Sequence, residues 1–269
     1  MDIQLFHGDC LEIMKNIPDK SVDLILCDLP YGSTASSWDI IIPFDKLWEQ
    51  YERLIKDNAS IILFSNGLFT AKLMTSNMNL YKYKYTWLKK VPTFFMHAKN
   101  RPLVKHEDIL VFSKGKMGHA NLLENRMKYN PQGLIRIDKK VNGKSESNNY
   151  ITSRKSHKEY IQEYTNYPTD ILENFDETSS KKKLHPNQKP TGLLEFLVKT
   201  YTNENETVLD NCMGSGSTGV AAKNLNRRFI GIEKDEKYFN IAKQRIQGTI
   251  IKSIEKEENK MLKLPGMWG

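Results

Sequence analysis

A chain of 269 residues and 31.2 kDa can bury a real core, as one large domain or as a domain carrying an insertion. Its 39% hydrophobic and 27% charged residues suit a globular protein, and no apolar run is long enough to span a bilayer. A net charge of +8 favours a polyanionic partner, although the same charges also serve simply to solvate a basic protein.

The three cysteines, Cys10, Cys27 and Cys212, flank apolar strands without disulfide or zinc-site spacing, which fits buried thiols in a reducing cytoplasm. No signal peptide is expected ahead of the first strand. That strand is Ile3-Gln4-Leu5-Phe6-His7, ending at Gly8-Asp9, and Leu11, Ile13, Met14 and Ile17 then form a short helical stripe closed by Pro18. Val22 to Cys27 reads as a buried parallel strand, followed by Asp28-Leu29-Pro30-Tyr31-Gly32. Residues 32–39 form a polar loop, and Phe44, Leu47, Tyr51 and Leu54 share a helix face. Residues 59–64 predict another buried strand, and Phe69, Leu73 and Met74 a further helix. Tyr81 to Leu88 alternates as a more exposed strand does, with Ile109 to Phe112 as its neighbour. Between them, Phe94, Phe95, His97, Lys99, Arg101 and His106 belong to a polar, irregular loop bordering the site.

Composition shifts after Ser113. Residues 113–184 are strongly basic and poor in apolar runs, with Lys114, Lys116, Arg126, Lys128, Arg136, Lys139, Lys140, Arg154 and Lys155 prominent. A structureless loop of that length is improbable in a compact domain, so the stretch predicts a small inserted subdomain. Order returns at His185-Pro186-Asn187-Gln188-Lys189-Pro190, and a helix follows over residues 192–201. Next come a strand, Thr207 to Asp210, the glycine cluster Met213 to Gly219, and a helix carrying Val220, Ala221, Ala222 and Leu225. Arg228 to Ile232 is the following strand, closed by Glu233, and Asp235 starts a helix through Ile246. Residues 248–269 form a charged helical extension with an apolar end.

Three constellations carry chemistry. In the first, Asp210 and the glycine turn Gly214–Gly216 are followed one strand later by Glu233. Glycines allow close backbone approach to a ligand, and an acid ending the next strand can accept from both hydroxyls of a ribose. Asp210 disfavours a pyrophosphate and tolerates an ammonium group, which points to S-adenosylmethionine over a dinucleotide. In the second, Asp9 can accept a proton from a cofactor adenine amine, or simply cap the helix behind it. In the third, Asp28 and the Leu29 carbonyl can each accept a hydrogen bond from an aromatic amine while Tyr31 stacks on its ring. An ordinary strand-to-loop exit would look the same. If the amine belongs to DNA, the base must leave the duplex.

Asp28-Leu29-Pro30-Tyr31 resembles the Asp-Pro-Pro-Tyr motif of amino-group DNA methyltransferases, and Asp210 to Gly219 resembles their cofactor motif, Asp-Pro-Phe-x-Gly-Ser-Gly-Thr. The order, catalytic motif, basic region, cofactor motif, is similar to that of the β class, and Lys189-Pro190 matches the segment that precedes the cofactor strand there. The resemblance covers residues 1–112 and 185–247. It implies an α/β fold, a Rossmann-like, mostly parallel seven-stranded sheet with one antiparallel strand in circularly permuted motif order. It implies S-adenosylmethionine as cofactor, held by Asp9, Cys10, Asp28, Lys189, Asp210, Cys212, Gly214, Ser215, Gly216, Glu233 and Lys234. Asp28, Leu29, Pro30 and Tyr31 would hold the target base. Residues 113–184, together with Arg101, would contact double-stranded DNA.

Two departures matter. Leu29 replaces a proline whose contribution is its carbonyl, and Asn211-Cys212 replaces Pro-Phe, leaving Phe64 and Phe229 as the aromatics available to compensate. Asp at position 28 with Tyr at 31 resembles the adenine-N6 pattern. The expected protein is a cytoplasmic, prokaryotic or phage-encoded DNA adenine-N6 methyltransferase with no membrane partner. The family's habits allow a homodimer and a companion restriction endonuclease. Cytosine-N4 methylation, methylation of an RNA base or a protein amide, and an inactive DNA-binding subunit of the same fold are the rival readings.

Overall fold

The computed structural model describes residues 2–32, 40–118, 124–141, 159–175 and 188–248. Expectations for residues 33–39, for Arg154 and Lys155, for residues 185–187 and for the C-terminal extension beyond 248 lie outside the described residues.

The sheet begins with β1 (Ile3–His7), then α1 (Cys10–Met14), β2 (Val22–Cys27), α2 (Phe44–Leu54), β3 (Ile55–Ser65) and α3 (Gly67–Ser76). A long hairpin follows, β4 (Tyr81–Thr93) and β5 (Val104–Ser113). After β6 (Ile135–Val141), β7 (Tyr160–Thr165) and β8 (Ile171–Leu172) come α4 (Thr191–Tyr201), β9 (Thr207–Asp210), α5 (Ser217–Asn224), β10 (Arg228–Glu233) and α6 (Glu236–Gln247).

The main sheet has the order β1-β10-β9-β2-β3-β5-β4-β8. β1, β10, β9, β2 and β3 pair in parallel, and β5 runs antiparallel to both of its neighbours. This is the expected sheet with an eighth, two-residue strand added alongside Thr86 and Trp87. That addition, with helix packing behind it, leaves Tyr85 and Trp87 buried where a more exposed strand was expected.

Every residue of β2 is buried, because alternate side chains feed cores on opposite faces. Ile25 and Cys27 join Leu47, Tyr51 and Leu54 of α2 and Phe69 of α3 on one face. Leu24 and Leu26 join Leu193 and Leu197 of α4, Ala221 of α5 and Ile246 of α6 on the other. The chain after β9 therefore crosses one face while the chain after β2 crosses the opposite one. Such a divergence opens a crevice at the carboxyl ends of the two strands.

Chain contacts separate residues 131–169 as a compact unit, smaller than the 113–184 stretch expected from composition. Its described core is the antiparallel pair β6 and β7. The flanking segments belong to the larger unit. Met127 is buried there, the Lys128 N–H donates to the Asn58 carbonyl, and the Asn130 N–H donates to the Thr200 carbonyl.

Candidate active site

A cleft of about 1020 Å³ opens over the carboxyl ends of the parallel strands. Asp28, Leu29, Pro30 and Tyr31 line it from the end of β2, and Asp210, Cys212, Gly214 and Ser215 line it from the end of β9. The register of the two strands, Leu24 beside Val208 and Ile25 beside Leu209, brings the two motifs together across 180 or so residues of chain. Asp9, Cys10, Glu233 and Lys234 complete the wall from β1 and β10, and Lys189 reaches in ahead of α4.

Asp28 is the centre of a charged chain. Its Oδ2 lies 2.6 Å from Lys189 Nζ, and its Oδ1 accepts from the Tyr31 hydroxyl at 2.8 Å. Lys189 also pairs with Glu107 Oε2 at 3.1 Å, and Glu107 pairs in turn with Lys89. Burial raises the Asp28 pKa above the ordinary carboxylate range, although Lys189 opposes the shift. Burial also works against the Glu107 anion, but Lys189 and Lys89 outweigh it and bring that pKa below its usual value. The Lys189 ammonium is held firmly charged, because the two carboxylates outweigh its desolvation. Burial and the Asp28 charge keep the Tyr31 phenol protonated. The Tyr31 ring stacks on Phe69 with centroids 4.7 Å apart. The Leu29 side chain is buried in the core, so what this residue can offer to a ligand is its backbone.

On the other side, the glycine turn is built around Glu233 and Asp210. Glu233 accepts from the backbone N–H of Gly214 and of Asp235, each at 2.8 Å. Burial raises its pKa against the backbone hydrogen bonds from Asp235, Gly214 and Lys234. Asp210 is buried beneath the turn, where its Oδ1 accepts from the Cys212 N–H at 3.2 Å. Desolvation pushes its carboxyl up to about 7, opposed by hydrogen bonds from Thr218, the Cys212 N–H and Cys27. Asp9 caps α1, accepting from the Leu11 N–H at 3.0 Å, while its second oxygen pairs with Lys234 at 3.1 Å. Burial works against the Asp9 anion, and those bonds outweigh it to bring its pKa below normal. Cys10 and Cys212 line the cleft, and Cys27 is buried at the end of β2, where desolvation pushes its thiol up to about 12.

Gly216 does not line the cleft. It starts α5 at φ +79, and a Cβ there would stand 2.9 Å from the Ala242 Cβ, so its glycine serves the close packing of α5 on α6. Ser217 and Thr218 line the cleft in its place. Of the two aromatics available to compensate for Asn211-Cys212, Phe64 lines the cleft, with Lys189 Nζ 4.9 Å from its ring centroid, whereas Phe229 is fully buried in the core.

The basic residues divide. Arg101, Lys116, Arg126, Arg136, Lys139 and Lys140 are exposed. Two others are committed to the fold. Lys114 donates to the Glu52 carbonyl at the end of α2, and Lys128 is tied to Glu206 and sits 3.8 Å from buried Asp23. Glu107, Lys89 and Phe69 are cleft residues that the motifs did not single out. The signal for Glu107 was an acid heading the otherwise apolar strand Ile109 to Phe112.

A parallel sheet with one antiparallel strand and a cleft joining a glycine turn to an acid-aromatic turn define a Rossmann-like methyltransferase fold. Residues 22–244 match the DNA methylase family N6_N4_Mtase, and the chain belongs to that family. It is 28% identical over 259 residues to the Type II methyltransferase M.HpaI of Haemophilus parainfluenzae, spanning 91% of this chain and 74% of that one. It is 26% identical to the protein in the crystal structure of the M1.HpyAVI–SAM complex, with a TM-score of 0.58 over 91% of this chain and 98% of that one. The cytosine-N4-specific PvuII DNA methyltransferase shares the fold, with a TM-score of 0.65 at 15% identity over 91% of this chain and 86% of that one. The protein is an S-adenosylmethionine-dependent amino-group DNA methyltransferase. Among the described residues, no helix is long and apolar enough to cross a membrane.

Proposed function

We propose that the protein methylates N6 of an adenine extruded from duplex DNA. The observation that carries this reading is the Asp28–Tyr31 turn, which faces the same cleft as the Gly214 turn and begins with Asp. The Asp28 carboxylate and the Leu29 carbonyl each accept one hydrogen of the base amine. That orientation withdraws the nitrogen lone pair from the ring and directs it at the methyl donor. Tyr31, backed by Phe69, packs against the face of the base.

The residues on the other side of the cleft fit the cofactor. Glu233 has two backbone donors and retains lone pairs for ribose hydroxyls, Asp9 and Lys234 stand at the adenine end, and the Gly214 backbone allows close approach. Bound S-adenosylmethionine supplies an electrophilic methyl group on a sulfonium sulfur. Asp210, Cys212 and Ser215 shape the methionine end of the pocket, and Lys189 borders it. The amine nitrogen attacks directly, so no covalent intermediate on the protein is needed, and Asp28, which in this reading already accepts one amine hydrogen, takes the proton the amine gives up. Arg101, Lys116, Arg126, Arg136, Lys139 and Lys140 provide phosphate contacts, with few residues reading base edges. A homodimer, a companion restriction endonuclease and a cytoplasmic site of action extend this reading.

Cytosine-N4 transfer is the second reading, supported by the fold shared with the PvuII enzyme. Incubation of duplex DNA with methyl-labelled cofactor, followed by nucleoside analysis, tests the choice. N6-methyladenine is expected, and N4-methylcytosine as the product would overturn the adenine assignment.

A further inference from the structure

The β4–β5 hairpin carries an apolar tip that the chemistry above leaves unused. From Lys89 to Lys105 the chain reads KKVPTFFMHAKNRPLVK, with five lysines and arginines and no acidic residue. The strands run further than the sequence suggested, β4 to Thr93 and β5 from Val104, so the turn is confined to residues 94–103, beyond an irregularity in the pairing between Leu88 and Thr93. At its crest Phe95 is 60% exposed and Met96 is 97% exposed. Phe94, itself 49% exposed, is held at φ +66, a left-handed conformation that is costly for a bulky residue. The Arg101 guanidinium lies 4.9 Å from the Phe94 ring centroid and braces it.

The tip adjoins the cleft that holds Asp28. Thr93 and Phe94 line that cleft, and Ile40 and Leu68, both strongly exposed, line it as well. Exposed aromatic and thioether side chains gain stability only when a partner removes them from water. Extruding a base leaves an apolar gap between two stacked base pairs beside the cleft, and apolar side chains entering such steps are an established way of holding DNA open. Lys90, Lys99, Arg101 and Lys105 on the same hairpin are exposed and complement phosphate. A second copy of this chain would bring an equally basic, acid-free tip against this one, which charge repulsion disfavours.

We propose that the tip of this hairpin, led by Phe95 and Met96, is a wedge that enters the DNA stack and fills the space of the extruded base. The proposal rests on the reading of the cleft as a pocket for a base taken from duplex DNA. Its test does not need methyl transfer. Binding of the full chain, by fluorescence anisotropy, is compared for a matched duplex and for the same duplex with one abasic site, which supplies a preformed gap.

Wild-type protein should bind the abasic duplex at least about fivefold more tightly, with that preference reduced to about twofold or less by Phe95→Ala/Met96→Ala. The salt dependence of binding should be unchanged, since the basic residues remain. Met96→Ala alone, at a side chain almost wholly in solvent, should lower the preference without any effect on folding. A wild-type protein with no preference, or a double variant that retains it, would overturn the wedge. So would conversion of a sedimenting dimer to a monomer with the preference intact, which would make the tip a subunit interface. Methyl incorporation by wild-type protein, measured in parallel, reports separately on the methyltransferase reading.

Discussion

Lys189 Nζ stands 2.6 Å from Oδ2 of Asp28, a pair joined across 161 positions of sequence, and Glu107 holds the same ammonium from the far side. The acid proposed to receive the base amine is thus set within an ion cluster of four residues, Lys89, Glu107, Lys189 and Asp28, of which Glu107 and Lys189 are buried. Taking Lys189 from the cluster leaves the partly exposed Asp28 without its cation while Glu107 keeps Lys89, at a cost of about 1–3 kcal/mol.

Lys189→Met should therefore lower stability by roughly that amount, read as a shift in urea midpoint. It should also move the pH dependence of methyl transfer. In the proposed mechanism Asp28 acts as an anion, and its pKa is already raised by burial, so activity should fall as pH drops through that raised value. Loss of Lys189 removes the opposing cation and raises the pKa further. The acid limb of the profile should move to higher pH. An unchanged limb would show that Lys189 does not act on Asp28.

Glu107→Gln removes the second anchor of Lys189 while preserving shape. A charge-assisted hydrogen bond is worth about 1.5–3 kcal/mol, so kcat should fall by roughly tenfold or more with cofactor affinity little changed. Glu107→Asp should recover part of the loss. Equal losses in kcat and in cofactor binding would indicate collapse of the pocket.

Tyr31 has two separable contacts, a hydroxyl on Asp28 and a ring on Phe69. Tyr31→Phe keeps the ring and loses one hydrogen bond worth about 1 kcal/mol, a several-fold effect on kcat. Tyr31→Ala loses both and should be the far more severe variant. Steady-state rates with one duplex substrate separate the two.

Asp210 makes a prediction about stability. Its pKa of about 7 in the folded protein lies above the ordinary 3.8, so the folded state binds this proton more tightly than the unfolded chain. Stability from this group is greatest below about pH 4, declines as pH rises towards 7, and then levels off. Asp210→Asn cannot ionise and retains an acceptor for the Cys212 N–H. It should flatten the pH dependence of the thermal midpoint between pH 4 and 7, whereas a variant with the wild-type slope would assign that slope to other groups.

The strands that frame the cleft were legible because burial on both faces makes them continuous apolar runs, as in Val22 to Cys27. The two motif turns were legible because their chemistry is local. What sequence patterns did not reveal depends on distant partners. Lys114 and Lys128 look like any surface cations until the Glu52 carbonyl, Glu206 and Asp23 are brought beside them. Gly216 sits in the glycine cluster yet answers to Ala242 on another helix. Glu107 gains its meaning only from Lys189 and Lys89.

The most direct test of the central claim is Asp28→Ala, assayed for both methyl transfer to duplex DNA and equilibrium binding of S-adenosylmethionine. The account predicts that transfer is abolished while cofactor affinity stays close to wild type, because Glu233, Asp9 and the Gly214 turn are left in place. Turnover at the wild-type rate would contradict it.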